Sequence, residues 1–328
     1  MNYRTLGKTG FKISEISLGT WQLGGKWGTE FDHDLAQETL DKAISNGVNF
    51  IDTADVYKGT ESEVAVGKAL KKTDKRVYVA TKCGRQINPH TNENYTADKL
   101  RGYVEDSLKR LDVETIDLIQ LHCPPTDTYY RPEIFGEFEK LKEEGKILNL
   151  GVSVEKVEEG LKALEYENVT SIQVIYNMFR QRPHELLFPK AKKNNVGIIV
   201  RVPLASGLLT GKFTKDATFA EGDHRNFNRD GDAFDVGETF SGIPFEAGVE
   251  AVKKLKDQLP ENTDLVHLAL RWILMRNEVS CVIPGASKVK HVKSNLQAAE
   301  KDEVSDDIMQ AIDKVYESDI KPLVHQRW

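Results

Sequence analysis

The stretch "NFIDTADVYKGTESEVAVGKALKKTDKRVYVATK" occupies residues 49–82. It opens and closes with short apolar runs, "NFID" (49–52) and "VYVATK" (77–82), and a helix-like segment at 61–72 separates them. Runs without polar alternation suit strands covered on both faces, as in a parallel sheet. A helix between two such strands makes a strand–helix–strand unit. Both runs end in charge. Asp52 closes the first and Lys82 the second, and Asp55 and Tyr57 follow Asp52 within five residues. A charge at the end of a core strand needs a partner, and Asp52 and Lys82 on adjacent strands supply one another.

The unit recurs along the chain. Further strands read as "EISLG" (15–19), "IDLIQLH" (116–122), "ILNLGVS" (147–153), "SIQVIY" (171–176), "GIIVRV" (197–202) and "CVIPG" (281–285). Helices read at 34–47, 96–112, 132–144, 154–165, 184–195, 262–275 and 288–299. In the first of these, Leu35, Thr39, Leu40, Ala43 and Ile44 share a face, and Gly47 stands where a terminating glycine belongs. The segment 96–112 opens on Thr96 as N-cap and spaces Leu100, Val104, Leu108 and Leu111 helically. Eight strands each followed by a helix predict an α/β fold, a (β/α)8 TIM barrel, here expected as one domain over residues 1–328. An open doubly wound sheet that bound a dinucleotide would carry G-x-G-x-x-G after an early strand, and none is present. "GLLTGKF" (207–213) is one residue short of a phosphate loop and has Phe213 in place of the metal-binding hydroxyl. Residues 1–14 read as an N-terminal β-hairpin turning at Thr9-Gly10, and the Gly/Asp-rich 213–245 as a long lid loop after strand seven.

Composition narrows the function. Hydrophobic residues make up 39% and charged residues 29% of 328, an ordinary balance for a chain that buries a large core. With a net charge of −6 and no basic face, no nucleic-acid partner is expected. No apolar run approaches a membrane span, so no membrane partner is expected either. The N-terminus has no secretory apolar region, and three sparse cysteines read as reduced thiols, which points to the cytoplasm. Nothing in the sequence sets an oligomeric state.

In such barrels the chemistry sits at the C-terminal ends of the strands. Those ends carry Asp52 with Tyr57 beyond it, Lys82, His122 and Ser153, and strand six carries Gln173. Taken singly, Asp52–Lys82 reads as a structural ion pair, His122 as a bonded core histidine and Tyr57 as a loop anchor. Together, the four converge on one rim. Lys82 would then lower the Tyr57 phenol toward a useful proton donor, Asp52 would hold Lys82, and His122 would hydrogen-bond a substrate oxygen. That device protonates a carbonyl oxygen and requires a hydride source. The sequence offers no nucleophile, metal cluster or paired carboxylates to suggest another chemistry.

The motifs "DTADVY", "VATK", "LIQLH", "GVS", "PLASGLLTGK" (203–212) and "VIPGASK" (282–288) resemble those of the aldo-keto reductases over nearly the whole chain. The N-terminal "LGKTG" resembles bacterial members and the β subunits of voltage-gated potassium channels. The resemblance implies carbonyl reduction to an alcohol with NADP(H) and a small-molecule carbonyl substrate, with Tyr57 as acid, Lys82 and Asp52 tuning it and His122 orienting the carbonyl. It implies cofactor contacts from Gly19, Thr20, Trp21, Asp52, Ser153, Gln173, Arg201, Pro203, Leu204, Ser206, Gly207, Leu208 and Lys212. Gly285, Ser287, Lys288, His291 and Asn295 would hold the adenosine-phosphate end. Lysines 288, 290 and 293 beside a helix start add charge for that phosphate. Trp21, Trp27, Tyr57 and His122 would form an aromatic substrate mouth, with Phe240, His325 and Trp328 as possible additions. Three positions depart from the pattern. Val154 follows Ser153 where many members have Asn, Arg201 stands for a ring-stacking Tyr, and His291 stands for an Arg. A regulatory subunit that keeps the cofactor pocket as a sensor is the alternative.

Overall fold

The computed structural model describes residues 1–25 and 28–328. Strands β1 (Tyr3–Thr5) and β2 (Lys12–Ser14) pair antiparallel as the expected hairpin. Eight strands follow: β3 (Leu18–Gly19), β4 (Phe50–Asp52), β5 (Tyr78–Cys83), β6 (Leu118–His122), β7 (Leu150–Ser153), β8 (Val169–Ile175), β9 (Gly197–Arg201) and β10 (Val279–Val282). They pair in parallel and in chain order from β3 to β10. Backbone bonds from Ser17 N to Val282 O (2.9 Å), Val282 N to Glu15 O (2.9 Å) and Gly19 N to Pro284 O (3.2 Å) join the two edges. The barrel therefore leaves no open edge for another chain to pair with.

The connecting helices are α1 (His33–Ser45), α2 (Glu61–Lys71), α3 (Ala97–Leu111), α4 (Pro132–Glu143), α5 (Val157–Ala163) and α6 (Leu187–Lys193). After the excursion with its short α7 (His224–Phe227) come α8 (Phe245–Lys256), α9 (Leu265–Leu274), α10 (Val289–Gln297), α11 (Asp306–Val315) and α12 (Lys321–Val324). Thr96 caps α3 as expected, and Gly47 ends α1 at φ +93°. α8, α11 and α12 lie outside the eightfold repeat and carry no strand of their own.

The period-two alternation of the strands sorts side chains into two layers. Ile51, Val79, Ile119, Val152, Ile172 and Val200 face outward into the core under the helices. Phe50, Ala80, Leu118, Ile199 and Cys281 face inward, where Leu6 and Ile13 of the hairpin close the base. Two residues further along the same inward faces stand Asp52, Lys82, Gln120 and Arg201. The barrel interior thus passes from apolar at the base to charged at the mouth.

The 213–245 excursion is built rather than slack. Asn228 is fully buried; its Oδ1 accepts from Ala233 N and Phe234 N, both at 2.9 Å, and its Nδ2 donates to Thr239 Oγ1 at 3.1 Å. No helix among the described residues is long and apolar enough to cross a membrane.

Gly19 sits at the barrel seam, where an added Cβ would lie 2.7 Å from the Ile283 carbonyl oxygen. Gly19→Ala should destabilise by about 1–3 kcal/mol, because a backbone atom cannot step aside cheaply. Gly102, in α3 with nothing within 4 Å, is the control: Gly102→Ala should be neutral or stabilise by up to about 1 kcal/mol. Equal shifts in thermal midpoint for the two variants would show that the seam does not need a glycine.

Candidate active site

The carboxylate of Asp52, 1% exposed, is the hub of the barrel mouth. Its Oδ1 accepts from Lys82 Nζ at 2.5 Å; its Oδ2 accepts from Gln173 Nε2 at 2.7 Å and Gln120 Nε2 at 3.1 Å. Lys82, fully buried, also donates to Thr53 O (2.8 Å) and contacts the Tyr57 hydroxyl at 3.1 Å, its Nζ lying 4.8 Å from the ring centre. Burial opposes the ammonium, but Asp52 and Tyr57 outweigh it and hold the lysine above its ordinary pKa. The His122 ring stands edge-on to Tyr57, centroids 6.0 Å apart. Burial, then Arg85 and Lys82, push this imidazole well below 6.5, so it is neutral at physiological pH. The four residues expected to converge do so.

The direction for Tyr57 differs from expectation. Burial raises the phenol more than Lys82 lowers it, and Asp52 adds to the rise. Lys82 limits the shift rather than reversing it. The Gln173 amide nitrogen donates to Asp52 Oδ2 at 2.7 Å and to Gln120 Oε1 at 3.2 Å. Ser153 Oγ lies 3.4 Å from the Cys123 thiol. Gly19 and Thr20 belong to the seam. Thr20 is fully buried, with its hydroxyl donating to Asp52 O at 3.0 Å and accepting from Ser62 at 2.8 Å.

Trp21 lies at the mouth, its ring 6.4 Å from Tyr57, 4.7 Å from His224 and 6.3 Å from Phe234. Trp27 lies outside the described residues. Phe240 packs into the core against Phe245, and His325 turns away to Tyr316 and Glu185. Trp328 is an anchor: its Nε1 donates to Asp235 at 2.9 Å and Arg180 stacks on it at 4.4 Å.

Arg201 is buried in a salt network absent from the sequence-based expectation. Its Nη2 lies 2.9 Å from Glu155 Oε2 and donates to Val154 O at 3.1 Å, and its Nη1 lies 3.8 Å from Glu238. Arg85 pairs with Glu238 at 2.6 Å, and Arg180 donates to Glu155 O at 2.6 Å. Cys123, Glu155 and Glu238 each put a potential ligand atom within 4.8 Å of the others, but these guanidiniums are the carboxylates' counter-ions. Arg85 and Glu155 stand two or three residues past strand ends, a signal the sequence does contain. Glu238, deep in the excursion, gives none.

The loop after β9 is strained. Val202, Ala205 and Ser206 take φ of +52°, +46° and +54°, and Gly207 takes +101°. A β-branched residue there is a true outlier, and such strain concentrates at functional loops. Ser206 Oγ bonds the excursion at Glu238 O (3.1 Å) and Phe240 N (3.0 Å). Pro203 is buried and Leu204 partly so. The Leu208 side chain is core, packed where α8 has Gly248, so only its backbone faces outward chemistry. Beyond β10, Ser287 Oγ sits 3.3 Å from His291 Nδ1, and buried Asn295 donates to Gly285 O at 3.3 Å. Burial, then Lys290, Lys288 and Lys212, push His291 below 6.5. Charges from the loop after β9 and from the start of α10 thus both act on His291.

This is the architecture of an oxidoreductase acting on carbonyls. The Aldo/keto reductase family model matches residues 15–317, and the chain belongs to that family, whose members use nicotinamide cofactors. It is 34% identical over 299 residues to aldo-keto reductase YhdN of Bacillus subtilis, covering 88% of this chain and 86% of that protein. It is 29% identical over 317 residues to the NADH-specific methylglyoxal reductase of Escherichia coli, covering 89% and 92%. The holo form of aldo-keto reductase AKR11C1 from Bacillus halodurans superposes with a TM-score of 0.77 at 29% identity, covering 96% of each chain.

Asp55, beside the site, is fully buried, and neither carboxylate oxygen has a hydrogen-bond partner among the described residues. Burial first, then Glu63, raise it to about 7. Between the unfolded value near 3.8 and about 7, the unfolded chain releases this proton while the folded one keeps it. Stability from this group therefore falls as pH rises through that window and is flat above it. Asp55→Asn should match wild type near pH 4 and exceed it at pH 8, by up to about 4 kcal/mol at 1.36 kcal/mol per pKa unit. Urea unfolding across pH tests this; a gap that does not grow with pH would mean Asp55 ionises freely.

Proposed function

We propose that this chain reduces an aldehyde or ketone to the alcohol, reversibly, with NADPH preferred over NADH. The observation that carries the chemistry is the Tyr57 hydroxyl, 3.1 Å from a buried ammonium and beside a neutral imidazole. The bound dinucleotide would supply a hydride to the carbonyl carbon. Tyr57 supplies the proton. A phenol raised by burial still gives its proton readily to an alkoxide, a much stronger base, and Lys82 stabilises the phenolate left behind. Asp52 keeps Lys82 charged and pointed at Tyr57, while Gln120 and Gln173 fix Asp52. His122 Nδ1 is buried with no hydrogen-bond partner among the described residues, which favours the proton on Nε2 as a donor to the carbonyl oxygen.

The residues fit a nicotinamide dinucleotide. The strained 202–207 loop and the converging Lys212, Lys288 and Lys290 offer an anion site, with Gly285, Ser287 and His291 beside it. Trp21 and the seam residues would border the other end. The NADH specificity named for the methylglyoxal reductase shows that cofactor choice does not follow from family membership. Here the lysine cluster supports a 2′-phosphate. His291, held neutral, adds little, so the preference should be soft and governed by the lysines.

Tyr57→Phe should lower kcat by about 10²–10⁴ and leave NADPH affinity unchanged, because the phenol acts only on the reacting oxygen. Retention of more than about a tenth of the wild-type rate with an aldehyde panel would remove Tyr57 as the acid. For the cofactor, Lys288→Ala should weaken NADPH binding about three- to tenfold and leave NADH binding unchanged, the gap closing at high salt. Fluorescence titrations with both dinucleotides measure this; equal losses for both would show that Lys288 does not read the phosphate.

A further inference from the structure

Arg85 takes no part in the proton transfer just described, yet it stands at the mouth. It lies two residues past the end of β5, the strand that carries Lys82. Gly84 makes the turn out of the strand at φ +105°, packed so closely on Tyr95 that a Cβ would fall 2.9 Å from that ring. On the other side, Gln86 Nε2 donates to Asp55 O at 3.2 Å. Arg85 is thus held between two anchored neighbours.

Its guanidinium is only partly used. Nη2 donates to Glu238 Oε1 at 2.6 Å, and the central carbon lies 5.4 Å from the centre of the Phe234 ring. The Glu238 carboxylate is shared, since Arg201 Nη1 lies 3.8 Å from it. Nε and Nη1 of Arg85 have no hydrogen-bond partner among the described residues, and the side chain keeps 21% of its surface exposed. Such donors, fixed in a planar fork, suit the oxygens of a carboxylate or a phosphate. Phe234 stands 6.3 Å from Trp21, whose ring is 6.4 Å from Tyr57. An aromatic wall therefore runs from the proton donor to the guanidinium. Arg85 is also the foremost of the charges that depress His122, ahead of Lys82 and Arg201. All three are cations, so the field is positive where the substrate oxygen would sit.

We propose that Arg85 selects the substrate by binding an anionic group, a carboxylate or a phosphate, carried on the aldehyde or ketone whose carbonyl oxygen meets Tyr57 and His122. The inference deepens the reading of this chain as a carbonyl reductase and rests on it. Trp21 and Phe234 would cover the carbon atoms between the two polar ends.

Matched substrates test this. Steady-state kcat/KM is measured for 4-carboxybenzaldehyde and its methyl ester, and for glyceraldehyde 3-phosphate and glyceraldehyde. The ester carbonyl is intrinsically the more electrophilic, so the change in the charged-to-neutral ratio decides, not the ratio itself. In the wild type that ratio should fall from low to high salt. Arg85→Met should lower it about ten- to hundredfold, the range for a hydrogen bond to a charged group, mainly through KM. Arg85→Lys, which keeps the charge and loses the fork, should recover part of it. A loss confined to one pair assigns the anion to carboxylate or to phosphate. Should Arg85→Met not fold because Glu238 is left unpaired, the double variant with Glu238→Gln removes the ion pair whole and should show the same loss. An equal fall for charged and neutral substrates would make Arg85 an anchor of the excursion only and overturn the proposal, as would a wild-type ratio indifferent to salt. A wild type that reduces no aldehyde at all overturns the carbonyl-reductase reading along with it.

Discussion

The ion pair between Asp52 and Lys82 sets the terms for the rest of the mouth. Both side chains are almost fully removed from water, at 2% and 1% exposure. A buried pair gains little net stability, because desolvation cancels most of the attraction, whereas loss of one partner strands a charge at a cost of about 3–5 kcal/mol. The fold therefore surrounds it with hydrogen-bond partners. Gln120, Gln173 and the Thr53 carbonyl complete the pair's hydrogen bonds, and each comes from a different element. An apolar pair of the same volume would serve the fold at least as well. What the charges add is a fixed cation at 3.1 Å from Tyr57, and that is a functional gain rather than a structural one.

The strand register explains how a core strand can end in a carboxylate. Phe50 and Asp52 share the inward face of β4, and Ile51 between them faces the helices. The alternation that puts Phe50 into the sealed base puts Asp52 into the polar mouth. A slip of one residue would send Asp52 into the helix-facing core and Ile51 into the barrel. Closure at Gly19 and the hairpin plug at Leu6 and Ile13 keep that register and the dry base beneath it. Strain is placed at the opposite end. Lys58, Cys123, Val202, Ser206 and Ser241, all at positive φ, lie in loops at the mouth.

Much of this was legible in the sequence. All eight barrel strands overlap the apolar runs of the sequence, and the hairpin, the Thr96 cap and the Gly47 terminus follow from local chemistry. The tetrad was legible because each member sits at or just past a strand end. Three things were not. The pKa of Tyr57 depends on burial, which sequence spacing does not report, and burial outweighs Lys82. The bond from Gln173 to Asp52, at 2.7 Å, crosses the barrel between strands that the sequence does not set side by side. The Glu155–Arg201–Glu238 network joins positions far apart in the chain through an excursion whose path no periodicity records.

That network changes how the departure at Arg201 should be understood. As an isolated substitution, an arginine where a resembling chain has a tyrosine would place an uncompensated cation in a buried site. Here it arrives with Glu155 at 2.9 Å and Glu238 at 3.8 Å, and Arg85 ties Glu238 to the opposite rim. The excursion is thereby held across the mouth by charge, and Trp328 pins its other side through Asp235. A neutral aromatic platform would leave the excursion without this anchor. The salt network therefore joins two tasks that a tyrosine would separate: it orders the loop that covers Ser206, and it sets the local charge beside Tyr57 and His122.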